Sequence, residues 1–139
     1  MTHHREMDDT DRCPCSSGET YGACCGPLHR GERLAPTAEA LMRSRYSAFA
    51  VGDAAYLRST WHASTRPGAL ELDADQEWRR LDVHATRAGG PFDDAGTVEF
   101  TASYRDAATG GRGRLHEASR FVREGGVWFY VDGDVAPKA

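Results

Sequence analysis

At 139 residues the chain is long enough for one domain, or for one domain with a small appendage. A formal net charge of -4 and a pI near 5.8 set up no overall field toward nucleic acid or an anionic membrane. No apolar run approaches the length that spans a bilayer, and neither internal repeats nor low-complexity segments occur, which excludes membrane-spanning and solenoid classes.

From the N-terminus, Met1 to Arg12 is polar and lacks the apolar core of an export peptide, so a reducing cytoplasm is the expected compartment. Residues 1–11 are expected to form a disordered tail, and His3 and His4 within it are not counted as ligands. All four cysteines then follow within thirteen residues, as Cys13-Pro14-Cys15 and Cys24-Cys25. Adjacent cysteines cannot bridge each other without strain, and in a reducing compartment so local a cluster suits a metal better than disulfides or redox thiols. Four thiolates match the closed tetrahedral shell of structural zinc, which leaves the ion no open position for chemistry. Ser16-Ser17-Gly18 offers a turn with spare N–H groups for the sulfurs. His29 is the nearby substitute ligand.

Cys13, Cys15, Ser17, Gly18, Cys24 and Cys25 resemble the SEC-C motif, C-x-C-x-S-G followed by Cys-His or Cys-Cys, with Tyr21 in the aromatic slot of its loop. The motif is the small zinc-binding element found at the C-terminal end of the SecA translocase motor. The resemblance implies that residues 12–30 are a zinc knuckle with Cys25 where the translocase version carries histidine.

Gly26-Pro27 and the polar stretch through Arg33 read as a linker. Thr37 is placed to cap a helix on which Ala38, Leu41, Met42, Tyr46 and Phe49 recur at helical spacing until Gly52. Asp53 starts a second helix carrying Tyr56, Leu57, Thr60 and Trp61 on one face. Period-two alternation follows in Leu81-Val83-Ala85 and in Val98-Phe100-Ala102-Tyr104. Leu115 to Arg123 and Val127 to Val131 flank Glu124-Gly125-Gly126, a hairpin signal. The order predicts an α+β fold, with helices packed on one face of a curved four-stranded antiparallel sheet.

Arg45 interrupts the apolar stripe of the first long helix, where an unpaired guanidinium is too costly to bury. Glu117 shares a strand face with Leu115, Ser119 and Phe121, so an interior Arg45–Glu117 ion pair is expected at the bottom of a cavity.

Leu41 to Phe49, Asp53 to Leu57, Thr60-Trp61-His62, Glu117 to Phe121 and Trp128 to Gly133 are similar to the bacterial YchJ family of SEC-C-motif proteins. The similarity covers nearly the whole chain. It implies a nuclear-transport-factor-2-like (NTF2-like) domain over residues 36–135, a cone of helices wrapped by a bent sheet. Some relatives carry a second zinc motif at the C-terminus, and this chain has none there.

Two functions follow as expectations. In the first, the protein is an adapter: the knuckle presents the loop Gly18 to Gly22 to a protein partner, and the cone offers a pocket or a homodimer face. In the second, the cone is a small acid–base enzyme, isomerase-like or dehydratase-like, for a hydrophobic or carboxylate-bearing metabolite anchored by Arg45. The pocket residues expected in either case are Arg45, Trp61, His62, Tyr104 and Glu117, with His84 a further candidate base. No phosphate loop, dinucleotide fingerprint or serine elbow is present.

Overall fold

The computed structural model describes residues 7–135. After a turn of 3-10 helix at Tyr21–Ala23 come helices α1 (Cys25–His29), α2 (Ala38–Val51) and α3 (Ala54–Ser59), then strands β1 (Gln76–Ala88), β2 (Ala95–Asp106), β3 (Arg112–Glu124) and β4 (Val127–Val135). The strands form one antiparallel meander in chain order. This is the α+β arrangement expected, and no helix among the described residues is long and apolar enough to cross a membrane.

The helix boundaries follow local chemistry. The Thr37 hydroxyl accepts from the Ala40 N–H, and Gly52 closes α2 in the left-handed region at φ 82°, its N–H donating to Ala48 O. Asp53 caps α3 by accepting from the Tyr56 N–H. Each such cap contributes about 1 kcal/mol. The stretch read as a linker after Cys25 is instead the short helix α1, because Pro27 falls in its first turn, where a missing N–H removes no intrahelical bond.

The strands outrun the alternation that predicts them. β2 follows it cleanly, burying Val98, Phe100 and Ala102. In β1 the register shifts between Trp78 and Arg80 and again between Val83 and Ala85, so Ala85 faces solvent rather than the core. These irregularities bend β1 and bring Trp78 under α2, where it meets the rings of Tyr46, Phe49 and Tyr104. The β3–β4 hairpin turns through Gly125 and Gly126 at φ 58° and 81°, the twist-matched geometry that glycine adopts without strain.

One core holds everything together. Leu41, Met42 and Tyr46 of α2 pack with Leu81, Val98, Phe100, Ala102, Phe121 and Trp128 of the sheet, and Cys13, Cys15 and Cys25 belong to the same buried cluster. Beyond α3 the chain docks along β4, with His62 N donating to Tyr130 O and Tyr130 N to Thr60 O. That docking sets Trp61 beside Tyr130.

The polar N-terminal segment is partly structured. Asp8 to Asp11 form a turn whose backbone accepts from Gly22 N and Tyr21 N, and Arg30 pairs with Asp9 at 3.0 Å. Residues 1–6, with His3 and His4, lie outside the described residues.

Candidate functional site

The four cysteine sulfurs lie within 4.8 Å of one another. Cys15 Sγ is 3.5 Å from Cys24 Sγ, and Cys24 Sγ is 3.8 Å from Cys25 Sγ. A tetrahedral shell with metal–sulfur bonds of about 2.3 Å has edges of about 3.8 Å, so the donor set fits a divalent ion with little adjustment. Proton chemistry agrees. Hydrogen bonds from Cys13 and Cys25 hold the Cys15 thiol far below its ordinary value, hydrogen bonds with Cys13 and Cys15 drive Cys25 up, and burial pushes Cys24 up to about 11. One thiolate is stabilised at its neighbours' expense, and only a cation can ionise the whole set together.

The cluster is built into the domain. Ser47, on α2, places its hydroxyl 3.3 Å from Cys25 Sγ, to which it donates, and 3.6 Å from Cys13 Sγ. Arg43 donates from Nη1 to Cys15 O at 2.9 Å, and the Ser16 hydroxyl accepts from the Leu81 N–H. The motif's own Ser17 sits 3.3 Å from Cys24 Sγ on the exposed side. His29 is not among the sulfur-bound group. Its Nδ1 meets the Tyr21 hydroxyl at 2.6 Å and its Nε2 meets Ser44 O at 2.8 Å, so both nitrogens are committed. It pins α1 to α2 instead.

On the opposite side of α2 the cone encloses an open cavity of about 440 Å³. Phe49, Trp78, Phe100 and Phe121 give it aromatic walls, and Arg45, Trp61, Tyr104 and Glu117 also line it. His62 is absent from the lining. Its ring faces Phe129 edge-on, and its Nε2 lies 3.0 Å from Glu124, because the backbone pairing with Tyr130 turns it to the other side of Trp61. His84 is also elsewhere. It stacks on His116 at 5.3 Å on the outer face of the sheet and bonds Thr101.

The expected Arg45–Glu117 pair is not made. Arg45, 6% exposed, donates from Nη1 to Leu57 O and Thr60 Oγ1, each at 2.7 Å. Its guanidinium carbon lies 4.5 Å from the Tyr130 ring centroid and 5.2 Å from that of Trp61. The carbonyl at the end of α3 and two ring faces thus solvate the cation, while burial lowers its pKa to about 10. Tyr130 separates the charges: its ring faces Arg45 and its hydroxyl donates to Glu117 Oε2 at 3.3 Å. Ser119 donates to the same oxygen. Burial pushes the Tyr130 hydroxyl up to about 12, which keeps it a donor at neutral pH.

Two glycines make room for these groups. A Cβ at Gly133, opposite Ser119, would fall 2.6 Å from Glu117 Cδ, and one at Gly113 would run into the ring of Tyr104 across the strand pair. Ser47, Tyr130 and these glycines are the site residues that motif reading passes over. Only the strand alternation that turns Tyr130 inward hints at any of them.

A four-cysteine knuckle welded to an α+β cone defines a SEC-C-motif protein with an NTF2-like domain. Residues 10–27 match the SEC-C motif, and residues 37–133 match the family model described as YchJ, middle NTF2-like domain. The chain belongs to the YchJ family. It is 52% identical over 125 residues to a UPF0225 protein of Streptomyces coelicolor, covering 90% of this chain and 96% of that one. A UPF0225 protein of Corynebacterium glutamicum is 52% identical over 124 residues, covering 89% and 97%. Among solved structures, a SEC-C-motif-containing protein from Rhodopseudomonas palustris superposes with a TM-score of 0.77 at 34% identity, covering 90% of this chain and 98% of that one. Another from Psychrobacter arcticus gives 0.73 at 28% identity, covering 94% and 86%.

Proposed function

We propose that the protein is a small-molecule-binding module whose cone receives the ligand and whose four cysteines hold one structural zinc ion. The observation that carries this reading is the cavity of about 440 Å³, left open between aromatic walls with a carboxylate fixed in one side. Pockets of this size and lining are where small organic ligands bind. Zinc is favoured over other ions by the all-sulfur tetrahedral donor set, and its role is to hold the N-terminal segment against α2.

An adapter role draws support from the knuckle loop, whose residues Ser16 to Thr20 are exposed. The buried sulfurs of Cys13 and Cys25, however, lie against Ser47 of α2. An acid–base reaction in the cone would rest on Glu117, since His62 and His84 lie outside it.

Two measurements test the proposal together. Elemental analysis of the reduced, purified protein should give one zinc per chain. Ligand-observed NMR with indole as probe should show binding that Leu115→Trp, which narrows the cavity, abolishes. Zinc-free protein that melts at the temperature of the loaded form, or indole binding indifferent to Leu115→Trp, would count against it.

A further inference from the structure

Two charged side chains of the cavity are each half engaged, and their free halves have opposite chemistry. Arg45, 6% exposed, commits Nη1 to Leu57 O and Thr60 Oγ1, while the rings of Tyr130 and Trp61 lie against its guanidinium. No described residue accepts from Nε or Nη2. Those two nitrogens form the side-on edge of the fork, which a carboxylate bridges with two parallel hydrogen bonds. Glu117 mirrors this state. Ser119 and Tyr130 both donate to Oε2, and no described residue donates to Oε1. That second oxygen keeps its lone pairs for a donor from elsewhere.

Neither free half is sealed inside the wall. Among the described residues, the buried side-chain nitrogens and oxygens without a partner are Tyr46 OH, Trp61 Nε1 and Trp128 Nε1. The Arg45 edge and Glu117 Oε1 are not among them, so both open on the cavity that these residues line. Tyr130 stands between the two charges, its ring facing Arg45 and its hydroxyl on Glu117. Each group is thus held through one half before any ligand arrives, which lowers the cost of ordering it on binding. Trp78, Tyr104, Phe100 and Phe121 supply ring surface for an aromatic body. Arg114, the other cation in the wall, is solvent-exposed, so water and salt screen its pull on an anion.

We infer that the cavity takes a small aromatic zwitterion, its carboxylate on Nε and Nη2 of Arg45 and its ammonium group on Glu117 Oε1. This rests on the reading of the cone as a ligand site, and four probes of one ring system separate the two ideas. Zinc-loaded, full-length protein would be titrated with tryptophan, tryptamine, indole-3-propionate and indole, and followed by NMR chemical-shift changes. Tryptophan should bind about ten-fold or more tighter than tryptamine or indole-3-propionate, the scale of one charge-assisted hydrogen bond. Glu117→Gln should bring tryptophan down to the wild-type level of indole-3-propionate, and Arg45→Met to that of tryptamine. Arg114→Gln should leave it unchanged. The comparison of probes on the wild type decides the matter even where Arg45→Met does not fold. Tryptophan binding no tighter than either single-group probe would overturn the inference, while indole binding would leave the ligand site standing. A loss on Arg114→Gln as large as that on Arg45→Met would move the carboxylate to Arg114 and overturn it as well. Binding by none of the four, indole included, would overturn both.

Discussion

Ser47 is a buried hydroxyl whose described partners are both cysteine sulfurs, and that sets it apart from Ser44 on the same helix. Ser44, equally buried, engages Leu41 O and the Tyr56 hydroxyl. A helical serine commonly bonds back to its own helix, so the alternative chosen by Ser47 reflects what lies against it. Removing a donor of this kind from a ligand sulfur typically weakens metal binding about 10- to 100-fold. Ser47→Ala should lose zinc to a competing chelator by about that factor and shift the sulfur-to-cobalt charge-transfer band of the cobalt-substituted protein, while Ser44→Ala leaves the band in place. Coincident bands for Ser47→Ala and wild type would show the contact to be packing alone. Nothing in the cysteine spacing announces Ser47, because a motif records its own ligands and not the surface they are set against. Arg45 is a complementary case. Its burial is legible from the helical stripe it interrupts, but its partner is not, since a backbone carbonyl and two ring faces leave no charged residue for sequence reasoning to find.

Among the elements, α2 is the most legible in sequence and α1 the least. Thr37 and Gly52 bracket fourteen residues with a clear apolar repeat, whereas the five residues of α1 are too few for any periodicity to show. The strands lie between these extremes: β2 reads directly, while the bulges of β1 break the alternation on which recognition of a strand depends. What α1 lacks in length it recovers through His29, which bridges Tyr21 and Ser44 and so fastens it to α2. Burial holds the His29 imidazole below its ordinary value, so as pH falls the unfolded chain takes up a proton before the folded one. The contribution of neutral His29 is therefore full above about pH 6.5, the unfolded value, and fades as pH drops below it toward the folded value. His29→Gln has no such titration. The gap between the melting midpoints of wild type and His29→Gln, both zinc-loaded, should narrow between about pH 7.5 and pH 5. A gap constant across that range would mean that His29 does not titrate between the two states. Comparing the two proteins at each pH cancels the thiol protonation they share.

For the whole molecule, the two faces of the sheet have opposite characters. The inner face carries the core and the cavity. The outer face carries Arg120 between Asp132 and Asp134, Arg105 on Glu77, and a chain of contacts from His84 through Thr101 to His116 and Glu99. A homodimer formed through this outer face would have to desolvate these ion pairs for little apolar gain. Sedimentation at about 0.15 M salt should give a monomer, and a stable dimer there would place the contact on some other surface. A second feature at this scale concerns α2, which turns Ser47 toward the sulfurs and Met42, Arg45, Tyr46 and Phe49 toward the cavity. On the function proposed above, an ion and an organic molecule would lean on opposite sides of one rod of fourteen residues. Whatever factor the ion changes in the affinity of the organic guest, the organic guest must return to the ion, because a thermodynamic cycle closes whichever is bound first.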